Sequence, residues 1–124
     1  MTARKNIAVA VVGLGWMGQA HSRSLIRIPT LFSDRNFNPI LRVCADFDLN
    51  RGNQAVEDFG FEHSTQNWQD AVEANDVDAV WVCAPNMLHL PIIEAASKAG
   101  KIVFSEKPIG GKPEQTLEAF KIAA

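Results

Sequence analysis

The chain has 124 residues, a net charge of −2, 47% hydrophobic and 21% charged residues. That length fits one domain, which buries roughly two-thirds of the surface of its unfolded chain. Acids and bases are interleaved, so no basic stripe suits nucleic acid, and the apolar runs fall far short of the roughly 18 residues of a membrane span.

Ile7–Val12 is a continuous apolar run, the mark of a strand buried on both faces. A helix is predicted from Trp16 to Ile28, ended by Pro29. Thr30 to Pro39 reads as a polar surface loop, and Ile40–Ala45 as a second strand. Asp48 is placed to cap a helix running to about Phe59, with Gly60 ending it. A short strand is expected within Phe61–Thr65, a helix over Asn67–Ala74 and a strand at Ala79–Ala84. A helix over His89–Ala99 follows, with Pro91 tolerated in its first turn, then a strand at Ile102–Ser105. Lys112 begins a last helix, with Pro113 at a first-turn position and Leu117 and Phe120 on one face.

Apolar strands that each lead into a helix make βαβ units and a parallel sheet covered on both faces. Right-handed crossovers favour a doubly wound α/β sheet, order 3-2-1-4-5, with its crevice at the carboxyl ends of the first and fourth strands. A sixth strand is usual in the full Rossmann fold, and the sequence reads as truncated before it. Cys44 and Cys83 lie in apolar strands and lack any Cys/His spacing that would hold a metal, so both are expected as buried reduced thiols and no metal site is expected. Reduced thiols and the lack of a leader-like segment point to a cytoplasmic setting.

The segment VVGLGWMG carries Gly13, Gly15 and Gly18 in the spacing G-x-G-x-x-G, after a strand and into a helix. Gly13 permits the tight turn, Gly15 lets a pyrophosphate approach the backbone, and Gly18 lets helix and strand pack closely. Leu14, Trp16 and Met17 complete this loop. The N–H groups of the first helical turn have no partners within the helix and point at an anion. Asp46, at the end of the second strand, is the expected acceptor for ribose hydroxyls. It follows Gly18 by 28 residues rather than about 20, because of the Thr30–Pro39 loop. A carboxylate there repels a 2′-phosphate and favours NAD; Arg51, close by, keeps NADP open, and Phe47 lies between them. The alternative for Asp46 is a helix cap, a place Asp48 fills better. His21 and His63 have no supporting context, and no role is assigned to them.

GLGWMG, ADFDLNR and DVDAVWVCAPNMLHLPIIEAASKAGKIVFSEKPIG together resemble the N-terminal domain of the Gfo/Idh/MocA oxidoreductases. The combination of P-N-x-x-H after the fourth strand with E-K-P after the fifth is the most specific part. The resemblance implies an NAD(P)-binding domain over residues 1–124, followed in the family by a second α/β domain for a sugar, polyol or similar substrate, which is expected to be absent here. Hydride then passes between a substrate carbinol carbon and nicotinamide C4. By the resemblance, Ala84, Pro85, Asn86 and His89 line the cofactor, and Glu106 and Lys107 lie beside the nicotinamide ribose and the substrate hydroxyl. Lys107 is the one catalytic candidate: its ammonium can hydrogen-bond the reacting oxygen. The isomer of the Lys107–Pro108 bond stays open. The family's D-x-x-x-H acid/base pair does not follow Lys107, since only seventeen residues do, so the chain is expected to bind cofactor without turnover. Leu117, Phe120 and the outer sheet edge should be exposed, and self-association through that edge is expected. A stand-alone dinucleotide-binding module, a redox sensor or a partner-completed subunit, is the alternative.

Overall fold

The structure, a computed structural model, describes residues 4–124; residues 1–3 of the expected domain lie outside the described residues. Ten elements alternate: β1 Lys5–Val12, α1 Trp16–Leu31, β2 Phe37–Ala45, α2 Leu49–Phe59, β3 His63–Thr65, α3 Trp68–Glu73, β4 Ala79–Val82, α4 Asn86–Lys98, β5 Ile102–Ser105 and α5 Pro113–Ala123. The five strands form one sheet of order β3-β2-β1-β4-β5, and every pairing is parallel. This is the doubly wound Rossmann order expected from the sequence.

The period-two alternation of the strands divides the core into two layers. Val9, Val11 and Cys44 point to the side of α1 and α2, where they meet Leu14, Leu25, Ala55 and Phe61. Ala10, Val12, Val43, Val80 and Val82 point to the other side and meet Val72, Ile92, Ile93 and Ala96 of α3 and α4. Beyond β4 the first layer runs out: Trp81 stacks on Phe104 with ring centroids 4.2 Å apart, yet Phe104 stays half exposed. Ile102, Leu117 and Phe120 are exposed as well, as the sequence suggested.

Three boundaries differ from expectation by three residues, more than the others. Helix α1 continues past Ile28 to Leu31 with Pro29 inside it. Proline removes only one N–H near the helix end, and the last carbonyls find other donors: Phe32 N–H donates to Ile28 O at 3.0 Å, and the Arg35 guanidinium donates to Pro29 O and Phe32 O. The loop is thereby cut to residues 32–36, and β2 begins at Phe37 rather than Ile40. Pro39 is accommodated there because β3 pairs only with Val43–Ala45, leaving the outer side of β2 free of a ladder at the proline. Helix α4 begins at Asn86 rather than His89, directly after Pro85, whose φ of −55° is already helix-compatible. Pro91 therefore lies beyond the first turn.

Candidate functional site

The three glycines of the loop face three different surroundings. Gly13 has φ +95°, and a Cβ there would lie 2.6 Å from the backbone of Cys83 and Ala84, so β4 itself demands glycine. A Cβ on Gly18 would lie 1.8 Å from Gly13 O, so close contact of α1 with the β1 turn demands it again. Gly15 differs: its φ is −71°, and a Cβ would meet nothing within 4 Å. Neither conformation nor packing requires a glycine at this position. Gly15 is also the N-cap of α1 and supplies no side-chain acceptor, so the first-turn amides of Trp16, Met17 and Gly18 carry no cap. The side chains of Trp16 and Met17 are exposed, and Gly18 is buried. Uncapped amides plus the positive end of the helix dipole form an anion cradle.

The strand ends deliver the rest. Asp46 follows β2, and its carboxylate braces the glycine loop: Oδ2 accepts Leu14 N–H and Oδ1 accepts Asp48 N–H, both at 2.8 Å. Leu14 is therefore not a free phosphate donor; its amide belongs to Asp46 and its side chain is buried in the core. Asp48 caps α2 through Asn50 N–H, as its position implied. Phe47 and Arg51 are exposed beside Asp46. Between the ends of β1, β2 and β4 lies a crevice of about 380 Å³, lined by Gly13, Asp46, Phe47, Arg51, Trp68, Ala84, Pro85 and Leu88. It opens where the strand order reverses, the position in which doubly wound sheets bind ligands. Trp68 and Leu88 were not singled out from sequence; both sit at starts of helices on the crevice side, a place rather than a motif.

Asn86 is exposed at the first position of α4. His89 is not: it is 1% exposed, with Nε2 2.7 Å from Ala84 O and Nδ1 2.7 Å from Pro108 O. The early start of α4 turns this ring into the protein, so its two nitrogens face the carbonyl oxygens of Ala84 and Pro108 and not the crevice. The Lys107–Pro108 bond is cis. Lys107 is exposed. Glu106, half-buried at the end of β5, receives a contact that no local pattern announced: His21 Nε2 lies 2.8 Å from its Oε2, while Oε1 accepts Lys107 N–H at 3.2 Å. The His21 hydrogen bond is the main reason the Glu106 carboxyl sits below the usual carboxylate range, with Lys107 N–H assisting. Burial pushes both thiols, Cys44 and Cys83, up to about 12, which leaves them protonated and poorly nucleophilic. Among the described residues no group of three or more His, Cys, Asp or Glu is arranged to hold a metal, and no helix is long and apolar enough to cross a membrane.

Sheet order, glycine turn and an acid at the second strand end define a dinucleotide-binding domain. Residues 7–124 match the model of the Gfo/Idh/MocA family, described as an oxidoreductase family with an NAD-binding Rossmann fold, and the chain belongs to that family. It is 34% identical over 116 residues to levoglucosan dehydrogenase of Pseudarthrobacter phenanthrenivorans, covering 94% of this chain and 30% of that protein. It is 30% identical over 118 residues to inositol 2-dehydrogenase of Corynebacterium glutamicum (strain ATCC 13032), covering 95% and 33%. A solved levoglucosan dehydrogenase, in complex with NADH and levoglucosan, superposes with a TM-score of 0.91 at 32% identity, over 96% of this chain and 32% of that one. The chain thus spans about a third of the length of these relatives.

Proposed function

We propose that this chain is the cofactor-binding part of an NAD-dependent dehydrogenase that acts on a hydroxyl of a sugar, polyol or similar substrate. The reading rests above all on Gly15, a glycine that the protein's own packing does not require, at the uncapped start of α1. The amides of Trp16, Met17 and Gly18 would hold the pyrophosphate across Gly15. Asp46 would accept from the adenosine ribose, since each of its oxygens keeps a lone pair beyond the backbone bond it already accepts. Phe47, Arg51 and Trp68 would flank the adenosine half. Ala84, Pro85 and Asn86 would border the nicotinamide half, with Glu106 and Lys107 beyond them.

When bound, the nicotinamide supplies the hydride acceptor or donor. The chain's own contribution to chemistry is Lys107: its ammonium would hydrogen-bond the reacting substrate oxygen and help fix where the proton goes. His89 would hold the Pro108 end of this turn against the Ala84 loop. The acid/base pair and the substrate floor would belong to a second domain, in keeping with the share of the relatives that this chain covers. The levoglucosan and inositol dehydrogenases among those relatives support a polyhydroxylated substrate.

Fluorescence titration of the purified chain with NADH tests the reading. The expected result is saturable one-to-one binding, competed by NAD+. A folded chain that leaves NADH fluorescence and its own tryptophan emission unchanged at millimolar cofactor would refute it.

A further inference from the structure

The turn Glu106–Pro108 leaves β5, which among the described residues is an edge strand paired with β4. Two histidines hold it, one from each layer of helices. His89 of α4 reaches the Pro108 carbonyl oxygen from one face, and His21 of α1 reaches Glu106 Oε2 from the other at 2.8 Å. His21 lies three residues after Gly18, on the helix whose start forms the anion cradle. Its partner is 85 residues away in sequence. The carboxylate is thus tied to α1 through one oxygen and to Lys107 N–H through the other. Glu106 N–H in turn donates to Val82 O at 2.8 Å, which continues the β4 ladder up to this residue. The side chains of both members are partly exposed, His21 at 35% and Glu106 at 20%, so the pair is not a core contact.

We infer that His21 is a positioning residue: it fixes the Glu106 carboxylate, and through it the direction of Lys107, relative to the helix that holds the pyrophosphate. This rests on the dinucleotide reading above. The carboxylate can only accept, so His21 donates its Nε2–H here. The physical consequence is a rigid distance between the anion cradle and the turn carrying the lysine, so that a dinucleotide seated at one end meets an ordered surface at the other. The depressed Glu106 carboxyl is consistent with a charged acceptor held in place.

The test uses two ligands that share the adenosine diphosphate half: NADH, which reaches the Glu106–Lys107 turn, and ADP, which does not. His21→Ala is expected to weaken NADH about three- to fivefold, the scale of a partly exposed ion pair, and to leave ADP affinity and the thermal midpoint unchanged. His21→Gln, whose amide can still donate, should recover part of the NADH loss. Equal weakening of both ligands would make His21 a general support of α1 and overturn the inference, and so would unchanged binding of both. Wild-type protein that binds ADP but not NADH would overturn it as well. Wild-type protein that binds neither would defeat the dinucleotide reading itself, and the role of His21 with it.

Discussion

Gly15→Val is expected to weaken NADH binding sharply while leaving the fold intact, and Gly18→Ala is expected to act first on the fold, destabilising the domain. The two glycines belong to one motif and look equivalent in sequence, but their surroundings differ. A Cβ on Gly18 would sit 1.8 Å from Gly13 O, so α1 or the β1 turn must move by more than an ångström. Overpacking against backbone costs about 3 kcal/mol, which lowers the thermal midpoint of a domain this size by roughly 10 °C. A Cβ on Gly15 meets nothing, so the cost there is that of a poorer N-cap, within about 1 kcal/mol. The same side chain would stand where a diphosphate must approach the first-turn amides. Losing two hydrogen bonds to a charged acceptor, each about 1.5 kcal/mol or more, weakens NADH by roughly a hundredfold. Thermal unfolding followed by NADH titration of both variants checks this. A Gly15→Val protein that is folded and binds as tightly as wild type would remove the reason for placing the pyrophosphate at this turn.

Asp46→Asn should shift the cofactor preference toward NADPH without much loss of stability, whereas Asp46→Ala should do both. The carboxylate has two duties. It accepts Leu14 N–H and Asp48 N–H, and the first of these amides belongs to a residue only 1% exposed. Alanine leaves that donor unpaired at a cost of about 1–3 kcal/mol; asparagine keeps an acceptor for one of the two amides. Both changes remove the negative charge that would repel a 2′-phosphate and that would accept from the ribose hydroxyls of NADH. Loss of a hydrogen bond to a charged group weakens NADH about tenfold, and loss of the repulsion moves NADPH the other way, so the ratio of the two affinities should fall by more than tenfold. Arg51, exposed on the same crevice wall, is available to the phosphate. Parallel titrations with NADH and NADPH measure the ratio; an unchanged ratio in both variants would show that Asp46 only braces the glycine loop.

The sheet order and the glycine loop were readable from local pattern because they are set by local causes. Unbroken apolar runs such as Ile7–Val12 and Ala79–Val82 can only be strands covered on both faces. The roles of Gly13, Gly15 and Gly18 follow from their spacing in one turn. What escaped was set at long range. Pro29 does not end α1: the helix runs on to Leu31, where Arg35, six residues after the proline, donates to the carbonyls of Pro29 and Phe32. The burial of His89 was not legible either: α4 starts at Asn86, not at His89, and the ring is 1% exposed. The amide of Leu14, a loop residue by sequence, is taken by Asp46, 32 residues away. His21 carried no signal because its meaning lies in Glu106, on the far side of the sheet order. Each of these turns on a partner that only the folded chain brings near.

The claim on which the rest depends is that the bare amides at the start of α1 bind the diphosphate of a nicotinamide dinucleotide. Titrating NADH into the 15N-labelled chain and following backbone amide resonances addresses it residue by residue. The expected result is that Gly15, Trp16, Met17 and Gly18 shift most, saturating together with one dissociation constant, with smaller shifts at Phe47, Ala84 and Lys107. A well-folded spectrum in which the Gly15–Gly18 amides stay in place, while NADH is bound elsewhere or not at all, would contradict it.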